Sequence, residues 1–196
     1  MTKNELKVIL IGDSGVGKTN IIRLAIGKGF SSNQEPSLTL SFSRKEIKIK
    51  NTKYILDLWD TIGQENLRTM NKLFYNNSRI VIFVYDITSR ESFEDLNYWI
   101  NEVSSQLGDE DIIRGIIGNK IDLYLQEAVN DNDVEKLTKK INGKYLRMSA
   151  KEDEPQKIEN YLEELLSDYL KLGVQGDEKL IDLSNKSKNK IRKNCC

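Results

Sequence analysis

The chain contains no histidine. That absence excludes histidine general bases, Ser-His triads and histidine-ligated zinc. Its only two cysteines, Cys195 and Cys196, stand side by side. Neither a disulfide framework nor a four-cysteine metal site can be built from them. No run approaches the roughly 18 apolar residues that a membrane-spanning helix needs. The opening MTKNELK lacks the apolar stretch of a signal peptide, so a cytosolic setting is expected. The last segment lacks one sign of charge. After Asp182 there is no acidic residue, while Lys186, Lys188, Lys190, Arg192 and Lys193 give five positive charges. With a net charge of zero, the first 182 residues carry a deficit of five. A neutral-to-acidic body argues against nucleic-acid binding.

What is present fits one domain with a buried core and a tail: 196 residues, 38% of them apolar and 31% charged. Leu6–Ile11 (LKVILI), Ile80–Tyr85 (IVIFVY) and Ile112–Ile117 (IIRGII) are short apolar runs of the kind buried on both faces of a parallel sheet. Leu38, Leu40 and Phe42, then Ile47 and Ile49, then Tyr54, Leu56 and Leu58 alternate with polar residues around Asn51-Thr52. They predict an antiparallel hairpin. Tyr145–Met148 is a last strand candidate. Helices are expected from about Thr19 to Ala25, along the face Phe93, Leu96, Ile100, Val103 and Leu107, along Val134, Leu137 and Ile141, and along Ile158, Leu162, Leu165 and Tyr169. Thr88 with Glu91, and Asn132 with Glu135, have capping-box spacing. Strands alternating with helices imply a parallel α/β sheet, whose ligands sit at the carboxyl ends of the strands. Periodicity fades near Leu172. A domain over 1–173 and a disordered basic tail over 174–196 are therefore expected.

The chemistry falls at those strand ends. Gly12-Asp13-Ser14-Gly15-Val16-Gly17-Lys18-Thr19 matches GxxxxGK[ST] between a strand and a helix. The letters alone also fit a glycine-rich turn with an accidental lysine; the strand–loop–helix context favours phosphate binding. Glycines let backbone N–H groups approach phosphate oxygens, Lys18 reaches the β and γ phosphates, and Thr19 offers a hydroxyl to Mg²⁺. Asn119-Lys120-Ile121-Asp122 follows a buried strand. A carboxylate at Asp122 can accept both the N1–H and the exocyclic amine of guanine, a pair that adenine does not offer. The stem of Lys120 can cover the base. Asp60-Thr61-Ile62-Gly63 follows the strand ending at Trp59. Asp60 can hold Mg²⁺ through water, the Gly63 N–H can meet the γ-phosphate, and Gln64 can orient an attacking water.

Taken together the motifs resemble those of a Ras-superfamily small GTPase, most of all its Rab branch. WDTIGQE (Trp59–Glu65), VYDIT (Val84–Thr88), ESFEDLNYW (Glu91–Trp99) and the Cys195-Cys196 pair carry the Rab likeness. The resemblance implies a P-loop small G domain: a six-stranded, mostly parallel sheet with one antiparallel strand and helices on both faces. It implies GTP and GDP as ligands, Mg²⁺ as cofactor, and a nucleotide site built from residues 13–19, with Asn20, Phe30, Ser37, Gly63, Asn119, Lys120, Asp122, Ser149, Ala150 and Lys151. Within that set Ala150 offers its N–H to the guanine carbonyl, Phe30 sets a ring edge-on to the base, and Ser37, following Pro36, ligates Mg²⁺. Lys18 and Gln64 are the catalytic residues. Phe42, Trp59 and Phe74 fall where Rab proteins present an aromatic triad to effectors; without the family they would be read as core or sheet-edge aromatics. Cys195 and Cys196 are the geranylgeranylation sites. With the pair read as terminal, prenylation without a CaaX box is expected. Two lipid chains anchor stably, and the five cations add roughly 1 kcal/mol each near an anionic leaflet.

The implied protein is a monomer that cycles between cytoplasm and the cytoplasmic face of an intracellular membrane. It has effectors, an exchange factor, a GTPase-activating protein and an escort of the GDP-dissociation-inhibitor type as partners. Three departures stand out. Ser37 replaces the family's Thr, Leu38-Thr39 replaces Ile-Gly, and Ile62 replaces a nearly invariant Ala. Extra volume beside the γ-phosphate is tolerated poorly, so slow intrinsic hydrolysis is expected. Two other readings stay open: a hydrolysis-impaired binding module held in one state, and a Ras-like signalling GTPase.

Overall fold

The structure, a computed structural model, describes residues 4–32, 41–60, 72–108 and 112–173. The expected positions Ser37, Ile62, Gly63, Gln64, Cys195 and Cys196 lie outside the described residues. Six strands form one sheet: β1 (Glu5–Ile11), β2 (Ser41–Ile49), β3 (Thr52–Asp60), β4 (Ser78–Asp86), β5 (Ile113–Asn119) and β6 (Lys144–Arg147). Their order is β2-β3-β1-β4-β5-β6. Only β2 runs antiparallel, paired with β3 from Ser41↔Asp60 to Ile49↔Thr52. The other neighbours pair in parallel.

Pleating decides which helices cover which face. Leu6, Val8 and Leu10 point to one side, where Ile21, Leu24, Ile158, Leu162 and Leu165 meet them. Ile9 and Ile11 point to the other, against Leu96, Ile100, Val103, Val134 and Leu137. The first side is covered by α1 (Lys18–Ala25) and by α6 (155–173), which Pro155 opens. The second is covered by α3 (Arg90–Glu94), α4 (Leu96–Leu107) and α5 (Asp131–Lys140), while the short α2 (Lys72–Tyr75) precedes β4. Burial on both faces is why β1, β4 and β5 read as predominantly apolar runs. Among the described residues no helix is long and apolar enough to cross a membrane.

The helix ends differ in detail from the sequence expectation. The expected single helix is two, divided at Asp95. Its N-cap is Ser89, whose hydroxyl accepts the Ser92 N–H. Thr88 instead turns its own N–H and hydroxyl onto the Asp86 carboxylate. Likewise Asn130, not Asn132, caps α5. In both places neighbouring residues have the same capping chemistry, and the path of the preceding loop chooses between them.

Tyr161 ties α6 to the sheet. Its hydroxyl lies 3.1 Å from the Ile116 carbonyl and 2.9 Å from that of Lys144, over Gly115, where a Cβ would sit 2.4 Å from it. Tyr161→Phe should cost about 1–2 kcal/mol. Urea unfolding should show a lower midpoint at unchanged slope; an unmoved midpoint would show the contact to be idle.

Candidate functional site

Every carboxyl end of a parallel strand delivers part of one crevice. β1 runs into Gly12, β3 ends at Asp60, β4 at Asp86 and β5 at Asn119, and β6 leads into Ser149. The strand order reverses about β1 and β4, which is where such sheets open a ligand crevice.

The 12–19 loop closes tightly over this end of the sheet. At Gly12 a Cβ would lie 2.1 Å from the Val84 carbonyl oxygen, and at Gly17 it would lie 2.2 Å from Asn119 Nδ2. Lys18 is buried, and its ammonium donates to the carbonyls of Gly12 (2.7 Å) and Asp13 (2.6 Å). Burial pulls its pKa down to about 8, against the opposing pull of Asp60 and Asp13. A phosphate oxyanion brought to such a group would favour its charged form. Ser14 is exposed and Val16 is buried. The Asn20 side-chain amide is paired with the Ser31 backbone (3.2 Å in both directions), which tethers the loop carrying the exposed Phe30.

Thr19 and Asp60 meet directly, hydroxyl to carboxylate, at 2.6 Å. These are hard oxygen donors of the kind Mg²⁺ takes. Among the described residues no group of three acidic, cysteine or histidine side chains could hold a metal by itself. The pair therefore fits Mg²⁺ bound through one or two protein oxygens plus phosphate and water, and not a closed all-protein cage.

Asn119 is the centre of the other half. Its Nδ2 donates to the Val16 carbonyl at 2.8 Å and its Oδ1 accepts the Ala150 N–H at 3.0 Å. One buried side chain thus joins the 12–19 loop to the 149–151 loop. The Ser149 hydroxyl donates to Asp122 Oδ1 at 2.6 Å and accepts the N–H groups of Lys151 and Glu152. Asp153 accepts the Ser149 N–H at 2.7 Å. Lys151 Nζ stands 3.9 Å from Asp122 Oδ2. Lys120 adopts a left-handed backbone (φ 71°), and its ammonium pairs with Asp86 at 2.6 Å. The result is a carboxylate held in place from one side and able to accept two parallel N–H donors from the other.

Phe42, Trp59 and Phe74 also come together. Phe42 stacks on Trp59 (5.3 Å between centroids, 21° between planes), and Trp59 meets Phe74 edge-on at 6.3 Å. Only Phe42 is well exposed; Phe74 is buried. Sequence reasoning missed the group beneath them. Lys7 is buried, lies 4.2 Å from the centre of the Trp59 ring, and donates to the Phe74 carbonyl. A single lysine within an apolar run gives no signal of such a role. It also missed the contact of Trp99 with the 12–19 loop, where the indole N–H donates to Asp13 Oδ1 at 2.9 Å.

Comparison with known proteins agrees with this arrangement. The model of the Ras family matches residues 7–171. A probable Rab-related GTPase of Acanthamoeba polyphaga mimivirus is 33% identical, covering 100% of this chain and 95% of its own. Rab-22A of Homo sapiens is 36% identical over 77% of each chain. RabC of Dictyostelium discoideum is 37% identical over 75% of this chain and 76% of its own.

Proposed function

The chain belongs to the Ras family and is Rab-like, and from that premise we propose that it binds GTP and GDP with Mg²⁺, hydrolyses GTP slowly, and works as a membrane-attached switch in vesicle traffic. One observation carries the proposal: Asn119 links the phosphate loop at Val16 to the Ala150 backbone, with the restrained Asp122 carboxylate beside it. A nucleotide bound there has both ends read by one connected scaffold.

In this reading Asp122 accepts the two N–H donors of guanine, and the Ala150 N–H faces the guanine carbonyl. Lys120, steered by Asp86, lays its stem over the base. Lys18 exchanges its carbonyl partners for β- and γ-phosphate oxygens, joined by the N–H groups of residues 13–19. Thr19 and Asp60, with Ser37, hold Mg²⁺, which when bound neutralises charge on the phosphates. Gln64 orients the attacking water, and the Gly63 N–H meets the γ-phosphate. Catalysis is then positioning plus electrostatics. Neither residues 12–19 nor the residues just before Ser37 include an arginine. A GTPase-activating partner must therefore supply that charge, and unaided turnover is slow. Loss of the γ-phosphate releases the segments at Ser37 and Gly63, and effectors, the exchange factor and the activating protein read that difference. Phe42 and Trp59, backed by Phe74, form the aromatic contact for effectors. The paired Cys195 and Cys196 carry the lipid, recognised by an escort protein, and the five nearby cations favour an anionic membrane surface.

The test is single-turnover cleavage of bound GTP with Mg²⁺ present and ATP as control. Slow conversion to GDP, with ATP not retained, is expected. Retained but uncleaved GTP would instead favour a binding module held in one state, the reading to which Ile62 points. Ile62→Ala should accelerate cleavage at least severalfold, since removing the β-branched volume relieves crowding. An unchanged rate would show that Ile62 does not slow the reaction.

A further inference from the structure

The 12–19 loop gathers backbone N–H groups and Lys18 for an anion, yet it contains a carboxylate, Asp13. A negative charge in that position repels a bound polyphosphate unless it is directed elsewhere. Its surroundings add to the difficulty, because Asp95, at the α3–α4 junction, and Glu91, in the first turn of α3, act on it with like charge. Desolvation is the larger influence on the carboxyl and, with these like charges, raises its pKa; the Trp99 hydrogen bond and Lys18 oppose the rise. A cavity of about 550 Å³ lies beside this contact, with Asp13, Glu91, Asp95 and Trp99 on its wall. Lys120 also borders it, but its ammonium is engaged by Asp86.

Trp99 is the only side-chain donor to the Asp13 carboxylate among the described residues. Its place is set independently of that contact. The residue is buried in the core on the α4 face and meets Tyr98 edge-on at 5.1 Å. Its backbone N–H is accepted by the Asp95 carbonyl at the break between α3 and α4. A donor fixed by the core thus holds a carboxylate belonging to the phosphate loop.

We propose that Trp99 is a positioning residue of the nucleotide site, whose indole N–H draws the Asp13 carboxylate toward α4 and so keeps its charge from opposing bound phosphates. This rests on the nucleotide-binding reading above. It adds a component from α4, a helix that none of the sequence motifs assigned to the site. Asp13 contributes to the site through its backbone, and Trp99 makes its side chain tolerable there.

The test uses the full chain loaded with GDP bearing a fluorescent N-methylanthraniloyl group, and follows its release with Mg²⁺ present. Trp99→Phe keeps most of the ring and deletes the donor. It should speed release roughly ten- to a hundredfold, the range expected when a hydrogen bond to a charged group is lost. Asp13→Asn removes the charge, so adding Trp99→Phe to it should change release less than twofold. Wild-type release by Trp99→Phe, or equal acceleration in both backgrounds, would overturn the proposal, the latter because it would mark a packing effect alone. The chain has two tryptophans, Trp59 and Trp99, and hence two indole N–H resonances. Asp13→Ala should shift one of them and leave the other in place. Two unmoved resonances would overturn the contact even if Trp99→Phe failed to fold. A wild-type chain that did not retain GDP would overturn the nucleotide reading instead, while the indole shift would still decide the contact.

Discussion

Asn119→Ala is expected to release bound GDP about a hundredfold faster than the wild-type chain, because two buried hydrogen bonds worth roughly 1–1.5 kcal/mol each vanish together and 1.4 kcal/mol is tenfold. The bonds lead to different loops, Val16 and Ala150, so the substitution both unpairs two buried backbone groups and uncouples the phosphate end of the site from the base end. Asn119 is buried, and its Nδ2 lies only 2.2 Å from where a Cβ at Gly17 would fall. Gly17→Ala should reproduce much of the defect from the opposite side by pushing that amide away. Stopped-flow displacement of fluorescent GDP measures both. Release within threefold of wild type for Asn119→Ala would mean that the two halves act independently.

Gly12→Ala is expected to destabilise the fold severely. A Cβ there would meet the Val84 carbonyl oxygen at 2.1 Å and its carbon at 3.1 Å, and both belong to the central strand β4. The backbone at Gly12 has φ of 152°, which side-chain-bearing residues rarely adopt. Neither backbone can yield without separating β1 from β4, so a loss above about 3 kcal/mol is expected, against a total stability of only about 5–15 kcal/mol for most domains. Gly27→Ala is the control. It has positive φ (74°) but open space around it, and about 1 kcal/mol is expected there. Thermal unfolding separates the two. Equal melting temperatures would show that close approach at Gly12 is not what limits the fold.

The sheet was legible because its central strands are buried on both faces, which leaves their sequences predominantly apolar. LKVILI and IVIFVY mark β1 and β4 within two residues of their observed bounds. The site motifs were legible because each is a short loop directly after such a strand, where local chemistry and position coincide. What escaped depends on distant contacts. Trp99 meets Asp13 across 86 positions, and Asn119 meets Val16 across 103. No periodicity or spacing encodes either pairing. Lys7 escaped for a related reason: its charge is compensated by Trp59 and Phe74, two rings that only the folded sheet brings over it. The shifted caps at Ser89 and Asn130 show the local limit, since Ser, Thr and Asn recur within two residues and sequence alone does not rank them.

The central claim is that Asp122 and the Asn119-linked loops form a site that reads guanine. Displacement of fluorescent GDP by unlabelled GDP, IDP and ADP, with Mg²⁺ present, tests it most directly. IDP lacks only the exocyclic amine and should compete roughly 10- to 100-fold less well, having lost one of the two donors to Asp122. ADP should be weaker by about 10⁴ or more, because it leaves the carboxylate unpaired. ADP competing within tenfold of GDP would contradict the account.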